Sequence, residues 1–267
     1  KSSDTKLITV EKMEDFAAMD GDELSRIERK LFDYDGGFKI EEVTSTSGKN
    51  MSYAINKTML RINLEQPLKA NTSISFKIKW WYNINDRMKV GGRSGYEYFE
   101  DEDNYLYTIA QWFPRMCVYN DVEGWQNKQF LGRGEFALPF GDYEVNITVP
   151  SDHIVGSTGE LQNASSVLSA EQRNRFKQAS TSDTPIRDAQ NVKVGGKNIM
   201  AMSYYPKEGN PLWERYSTKL VAHTVKTYSK YTVDYPYPVA ISVHSKWIGM
   251  EYPMICFNGG RPEADGT

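Results

Sequence analysis

Between residues 38 and 84 the chain is written in short runs, FKIEEV, MSYAIN, TMLRINL and SISFKIKWWYNI, separated by clusters of Gly, Asn, Pro and Lys. Within several of them apolar and polar residues alternate. A period of two sends successive side chains to opposite faces of a strand, so such a run buries one side and wets the other. Over 74–84 the residues Ile74, Phe76, Ile78 and Trp80 share a face. That pattern belongs to an antiparallel sheet with one packed side. Tyr143, Val145, Ile147 and Val149 alternate strictly within GEFALPFGDYEVNITVP, which predicts another strand. The 17 Tyr and 6 Trp add large side chains that favour β-rich cores and clefts.

Other stretches read differently. Residues 22–31 are polar and acidic with helical spacing. DRMKVGGRSGYEYFEDEDN, 86–104, is rich in Gly and charge and reads as a long loop or hairpin tip, followed by a dense aromatic strand in LYTIAQWFPRMCVYNDVEGW. Residues 160–198 read as a weakly patterned polar connector. After Pro211 a long helix is expected, with Leu212, Tyr216, Leu220, Val221, Thr224, Val225 and Tyr228 at helical spacing and the 235–238 Tyr-Pro-Tyr-Pro segment beyond its end. Residues 239–243 then form an apolar strand and 248–257 an extended segment. The expected class is mainly β with an α/β start, divided into an amino-terminal β-domain, 1–207, and a second region, 208–267.

Charge and composition exclude some classes. A formal net charge of −3, with acids around the basic groups, gives no nucleic-acid footprint. No run approaches the length of a membrane span. Cys117 and Cys256 are two thiols among apolar neighbours, which suits free buried cysteines better than a disulfide framework. Asn56, Asn71, Asn146 and Asn163 each open an Asn-x-Ser/Thr triplet, a pattern that chance also supplies in an Asn-rich chain.

Metal and nucleophile motifs are weak. The three histidines, His153, His223 and His244, include no His-Glu-x-x-His, and no second ligand follows His223 one turn on. Gly92, Ser94 and Gly95 lack the spacing and the strand–turn–helix frame of a nucleophile elbow, and GRGEF at 132–136 lacks the end of a phosphate loop; both read as turns. The informative stretch is VAISVHSKWIGMEYPMICFNGG, 239–260, where Glu251 interrupts an apolar run. Either it is a carboxylate facing out from an edge strand, or it meets the ammonium group of a peptide that adds to that strand.

Gly249, Met250, Glu251, Tyr252 and Pro253 resemble the Gly-x-Met-Glu-Asn exopeptidase motif of the aminopeptidase N family, the gluzincin zinc metallopeptidases. The wider 205–262 stretch is similar to the entry into the catalytic domain of bacterial members, and 107–161 resembles late strands of their amino-terminal β-domain. The resemblance implies a β-sandwich-like amino-terminal domain followed by the first helix and strands of a thermolysin-like catalytic domain. It implies that Glu251 binds the free α-amine of a peptide substrate, that Gly249 and Met250 dock its backbone, and that Gln111 lines the first subsite. Phe113 stands where a second polar group is common, and Tyr252 replaces the usual Asn, so selectivity is expected to differ. The implied cofactor is zinc, with ligands outside this chain; the remaining carboxy-terminal catalytic region is then a partner, and this chain alone is expected to be inactive. An envelope-associated, periplasmic or secreted location would follow. Two other readings compete: a catalytically silent peptide-binding or scaffold protein of the same fold, and a β-sandwich adhesion module with a helical appendage.

Overall fold

The computed structural model describes residues 21, 24, 27, 28, 31–129, 137–246 and 249–262. The reading of GRGEF at 132–136 lies outside these residues, as does Ile248. Of the stretch expected to be helical over 22–31, the described Leu24, Ile27, Glu28 and Leu31 are helical. Two compact units divide the chain, Lys1–Val145 and Asn146–Thr267, and the fold is mainly β.

In the first unit the alternating runs make antiparallel pairs. β1 (Lys39–Ser45), β2 (Tyr53–Asn56), β3 (Met59–Ile62) and β4 (Phe76–Trp81) pair as β1 with β4 and β2 with β3. Along β4 Phe76, Ile78 and Trp80 are half-buried while Lys77, Lys79 and Trp81 are exposed, as period two requires. Val43, opposite Ile78 on β1, is buried. Ile74 precedes the strand and is exposed. Trp80 lies 6.3 Å from Trp112 and donates its indole N–H to the Trp112 carbonyl at 3.1 Å.

The Gly-rich, charged stretch holds more than a loop. Asp86 caps α1 (Arg87–Val90) by accepting from the N–H groups of Met88 and Lys89 at 3.0 and 3.3 Å, a role its position before a short helical run signals. β5 (Gly95–Phe99) and β6 (Asn104–Thr108) then form a hairpin around a tight turn at Glu100–Glu102. At Gly95, where φ is 146°, a Cβ would come within 2.6 Å of the Asn85 carbonyl oxygen, so a side chain there would force the backbone apart. Behind the hairpin Arg87 and Glu97 form a buried ion pair at 3.3 Å. The aromatic strand expected after residue 106 is broken: β6 ends at Thr108, and a small hairpin of β7 (Tyr119–Asn120) and β8 (Gly124–Trp125) follows.

No strand forms across 137–150. Tyr143, Val145, Ile147 and Val149 are 65, 42, 49 and 38% exposed, and no described ladder includes them. Alternation becomes a strand only where a neighbour accepts the ladder hydrogen bonds and a layer covers the apolar face.

The second unit contains α2 (Ala164–Val167), α3 (Ala170–Ala179), β9 (Ala189–Val194), β10 (Lys197–Tyr204), α4 (Leu212–Tyr231), β11 (Val239–His244), β12 (Met250–Tyr252) and β13 (Ile255–Asn258). The supposed connector over 160–198 therefore holds two helices, β9 and the first two residues of β10. Ser169 and Gln172 complete a capping box at the start of α3: the Gln172 N–H donates to the Ser169 hydroxyl at 3.2 Å, and the Ser169 N–H to the Gln172 side chain at 2.8 Å. Gly195 and Gly196, with φ of 53° and 76°, turn β9 into β10 as the two central residues of a hairpin whose backbone only φ > 0 permits.

Five strands form one mixed sheet in the order β12-β13-β11-β10-β9. β10 runs parallel to β11 across α4, and β11 parallel to β13; the two outer pairings are antiparallel. Because β9 and β10 share this sheet with β11, the boundary read at 207/208 falls between two neighbouring strands, and the compact units divide at 145/146 instead. α4 begins where expected, directly after Pro211, and ends at Tyr231, with Thr232 closing it by donating its N–H to the Tyr228 carbonyl at 2.9 Å. Its buried residues are Trp213, Thr218, Ala222 and Val225, whereas Tyr216, Leu220 and Tyr228 are exposed. Small side chains let a helix lie close on a sheet, and Ala222 and Val225 meet Val192, Val194, Ile199, Ala201 and Ala240 in one core cluster.

Candidate functional site

Residues opposite one another in a ladder, parallel or antiparallel, point to the same face of the sheet. That rule sorts the second sheet into two sides. Glu251 is opposite Cys256, Cys256 opposite Ser242, Ser242 opposite Ser203, and Asn258 opposite His244. These side chains lie on the face that α4 covers, since Ala201 and Ala240 alternate into the same side and belong to the helix-packed core. Met250, Tyr252, Ile255 and Phe257 occupy the other face, with Ile241 and Met202. There Met250 is 2% exposed. Residues 156–158 reach this second face: Gly156 meets the Tyr204 ring so closely that an added Cβ would sit 3.1 Å away, and the Thr158 hydroxyl donates to the Pro253 carbonyl at 2.6 Å.

The expected extended segment around Glu251 is a tight hairpin. Pro253 and Met254 form its loop between Tyr252 and Ile255, and Met254 has φ of 71°. A proline followed by a residue of positive φ is the pattern of a type II turn. The Met254 carbonyl accepts from the Ile241 N–H at 2.9 Å, tying the turn to β11. This holds β12 at one end of the sheet, with Glu251 in its middle and exposed to solvent.

Polar groups line the way inward from Glu251. The Asn258 amide donates to the Ser242 hydroxyl at 2.8 Å and lies 3.1 Å from the Cys256 sulfur, while the Cys256 thiol faces the Ile241 carbonyl at 3.4 Å. Burial pushes the Cys256 thiol up from its ordinary pKa, against the hydrogen bonds from Asn258 and Ser242, and the Glu251 carboxylate adds to the rise. It is therefore a thiol at neutral pH and a poor nucleophile. Both cysteines are free and half-buried. His244, at the carboxyl end of β11, is fully buried with its ring 5.1 Å from that of Trp213, edge to face. Trp213 donates to the Gly260 carbonyl at 2.6 Å, which fixes the chain after β13 to the start of α4.

The structure brings Gly249, Met250, Glu251 and Tyr252 together on and beside β12, but splits them between faces: Glu251 on one side, Met250 and Tyr252 on the other. Gln111 belongs to the first unit, where it is exposed at φ of 52°. It is presented by anchors on both sides, since Ala110 donates its N–H to the Ser94 hydroxyl at 2.7 Å and Trp112 accepts from Trp80. Ser94 is thereby occupied as a turn residue. A cavity of about 390 Å³ is lined by Glu42, Thr44, Gly48, Lys77, Ile78 and Lys79, all on or beside β1 and β4 and none of them an expected site residue. Among the described residues no three His, Cys, Asp or Glu side chains converge as a metal centre. Comparison with protein-family models, with curated proteins and with solved structures finds no match to this chain.

Proposed function

We propose that this chain supplies the peptide-docking side of a zinc-dependent aminopeptidase of the aminopeptidase N type, in which Glu251 holds the free α-amine of the substrate. In this reading the first unit belongs to a β-sandwich-like amino-terminal domain, and the second unit carries the start of a thermolysin-like catalytic domain. The observation that carries it is the position of Glu251 at the centre of the outermost strand, exposed and with no strand beyond it among the described residues.

A two-residue hairpin loop is flanked by a hydrogen-bonded pair, and the next pair is not hydrogen-bonded. Tyr252 and Ile255 flank the loop here, so by that alternation the main-chain groups of Glu251 face the open edge. An extended peptide adding to that edge would gain main-chain bonds, while the carboxylate beside it would select a cationic amino terminus. Buried Met250 anchors the strand from the opposite face and keeps the carboxylate in place. Gly249 directly precedes Met250, whereas the motif has a residue between its glycine and methionine; the likeness is firmest at Met250 and Glu251. In this reading zinc and the groups that cleave the peptide bond come from sequence outside this chain.

The test is hydrolysis of alanine p-nitroanilide and of its N-acetylated form by the complete gene product, with and without Glu251→Gln. The reading expects the unblocked substrate alone to be cleaved, with kcat/KM reduced about tenfold or more in the variant. Equal hydrolysis by both proteins, or cleavage of the acetylated substrate, would overturn it.

A further inference from the structure

The hairpin of β5 and β6 carries a feature that the peptidase reading does not use. Tyr96 is opposite Tyr107, and Tyr98 opposite Tyr105, so all four rings stand on one face of the two-stranded sheet. They form a continuous aromatic surface. Tyr98 and Tyr105 lie 4.7 Å apart, Tyr96 and Tyr105 5.9 Å apart, and the rings of Tyr105 and Tyr107 are stacked at 5.9 Å with 19° between their planes. The opposite face holds Glu97, Phe99 and Thr108, which are buried. The hairpin therefore has a packed side fixed by the Arg87–Glu97 pair and an aromatic side on which Tyr98, Tyr105 and Tyr107 are 44, 49 and 42% exposed.

Charge at the tip selects among the partners an aromatic face can take. Glu100, Asp101, Glu102 and Asp103 follow one another there, all exposed, and no Lys or Arg occurs between Arg93 and Arg115. The Tyr98 hydroxyl donates to Asp103 at 2.9 Å, which joins the aromatic surface to the acidic turn. A guanidinium group stacks on a tyrosine face through its planar, weakly hydrated cation and can at the same time bond a carboxylate in bidentate fashion; an ammonium group matches this geometry less well.

We propose that this tyrosine face is a docking surface for an arginine-bearing peptide segment of a partner protein. Arginine side chains lie across Tyr98 and Tyr105, and flanking positive charge meets the acidic turn.

Fluorescein-labelled hexa-arginine, hexa-lysine and hexa-proline, titrated into the protein and followed by anisotropy, test it. Hexa-arginine is expected to bind at least threefold more tightly than hexa-lysine, and hexa-proline not to bind. The Tyr98→Ala/Tyr105→Ala variant should lose tenfold or more of the hexa-arginine affinity, and Glu100→Gln/Asp101→Asn should weaken it and flatten its salt dependence. Because the tyrosine variant can fail to fold, ring NMR signals of the unaltered protein provide a second readout, with shifts on hexa-arginine addition confined to the four hairpin tyrosines. Equal affinity for hexa-arginine and hexa-lysine would reduce the interaction to unspecific charge attraction and overturn the proposal. So would tight hexa-proline binding, full affinity in a folded tyrosine variant, shifts spread over other tyrosines, or no binding at all.

Discussion

In the first unit the strands meet in pairs, and each pair leaves a broad face to solvent; in the second, five strands share one sheet and a 20-residue helix lies along it. Apolar side chains of the same kind fare differently in the two settings. Ile199 on β10 is 0% exposed, while Ile55 on β2 is 56% exposed. The difference lies in what stands opposite. Ile199 has β9 on one side, β11 on the other and α4 above its face, whereas Ile55 has β3 alone beside it among the described strands. What the second unit gains from a shared apolar core the first replaces in part with a buried ion pair, Arg87 to Glu97, whose side chains are 4% and 6% exposed.

That contrast can be broken most sharply at the ion pair. Glu97→Ala removes a carboxylate from beside the buried Arg87 guanidinium, and the first unit should lose on the order of 3–5 kcal/mol. Arg87→Met with Glu97→Leu should restore most of it, because both charges of the pair are then gone together. Urea unfolding followed by hydrogen exchange within each unit would show whether the second stays unaffected. The next effect sharpens the comparison of the two isoleucines. Ile199→Ala is expected to cost about 2–5 kcal/mol through lost contacts and a cavity, and Ile55→Ala no more than about 0.5 kcal/mol. Similar losses at both positions would mean that a layer covers Ile55 in solution.

The smallest expected effect is alkaline. Burial holds the Tyr204 and Tyr205 phenols and the Cys256 thiol above their ordinary values, and pushes the Tyr235 phenol up to about 12. Each group keeps its proton in the folded chain at a pH where the unfolded chain has released it. The stabilisation is complete below the unfolded values, near 9 for the thiol and 10 for the phenols, and is lost as pH rises through the folded ones. The first unit has Tyr34 and Tyr82 raised by burial and Tyr98 raised by its bond to Asp103. Urea midpoints at pH 8 and pH 10.5 should therefore fall for both units, and further for the second.

The sequence made some elements plain and hid others for identifiable reasons. α4 was readable because Pro211 marks its start and its apolar spacing persists for five turns. Its buried side was not: hydrophobic periodicity weights Tyr216 and Leu220 heavily, but the sheet accepts the narrow side chains of Thr218 and Ala222. β9 looked polar because Gln190 and Asn191 interrupt it. Both are buried, with their amides donating to the Asp183 carbonyl at 3.0 Å and to Asn198 at 3.2 Å. The Gly195–Gly196 pair was the available signal for that hairpin. At the candidate site the sequence shows the extended run that holds Glu251 but not the reversal at Pro253 and Met254, because methionine there occupies a backbone region that usually calls for glycine. Nor did the sequence reveal which residues share Glu251's face. Cys256 reaches it through the hairpin reversal, and Ser242 through the parallel pairing of β11 with β13, which passes over β12 in the chain.

β12 has a consequence for how copies of this protein behave at high concentration. An uncovered sheet edge is a template on which another chain can stack, and long, flat, uncharged edges are the ones that seed fibres. Here the edge is three residues long, carries a carboxylate at its centre and meets a proline at once. A second β12 brought alongside in antiparallel register would set Glu251 against Glu251, so the same charge that would orient a peptide also acts as a gatekeeper against polymerisation.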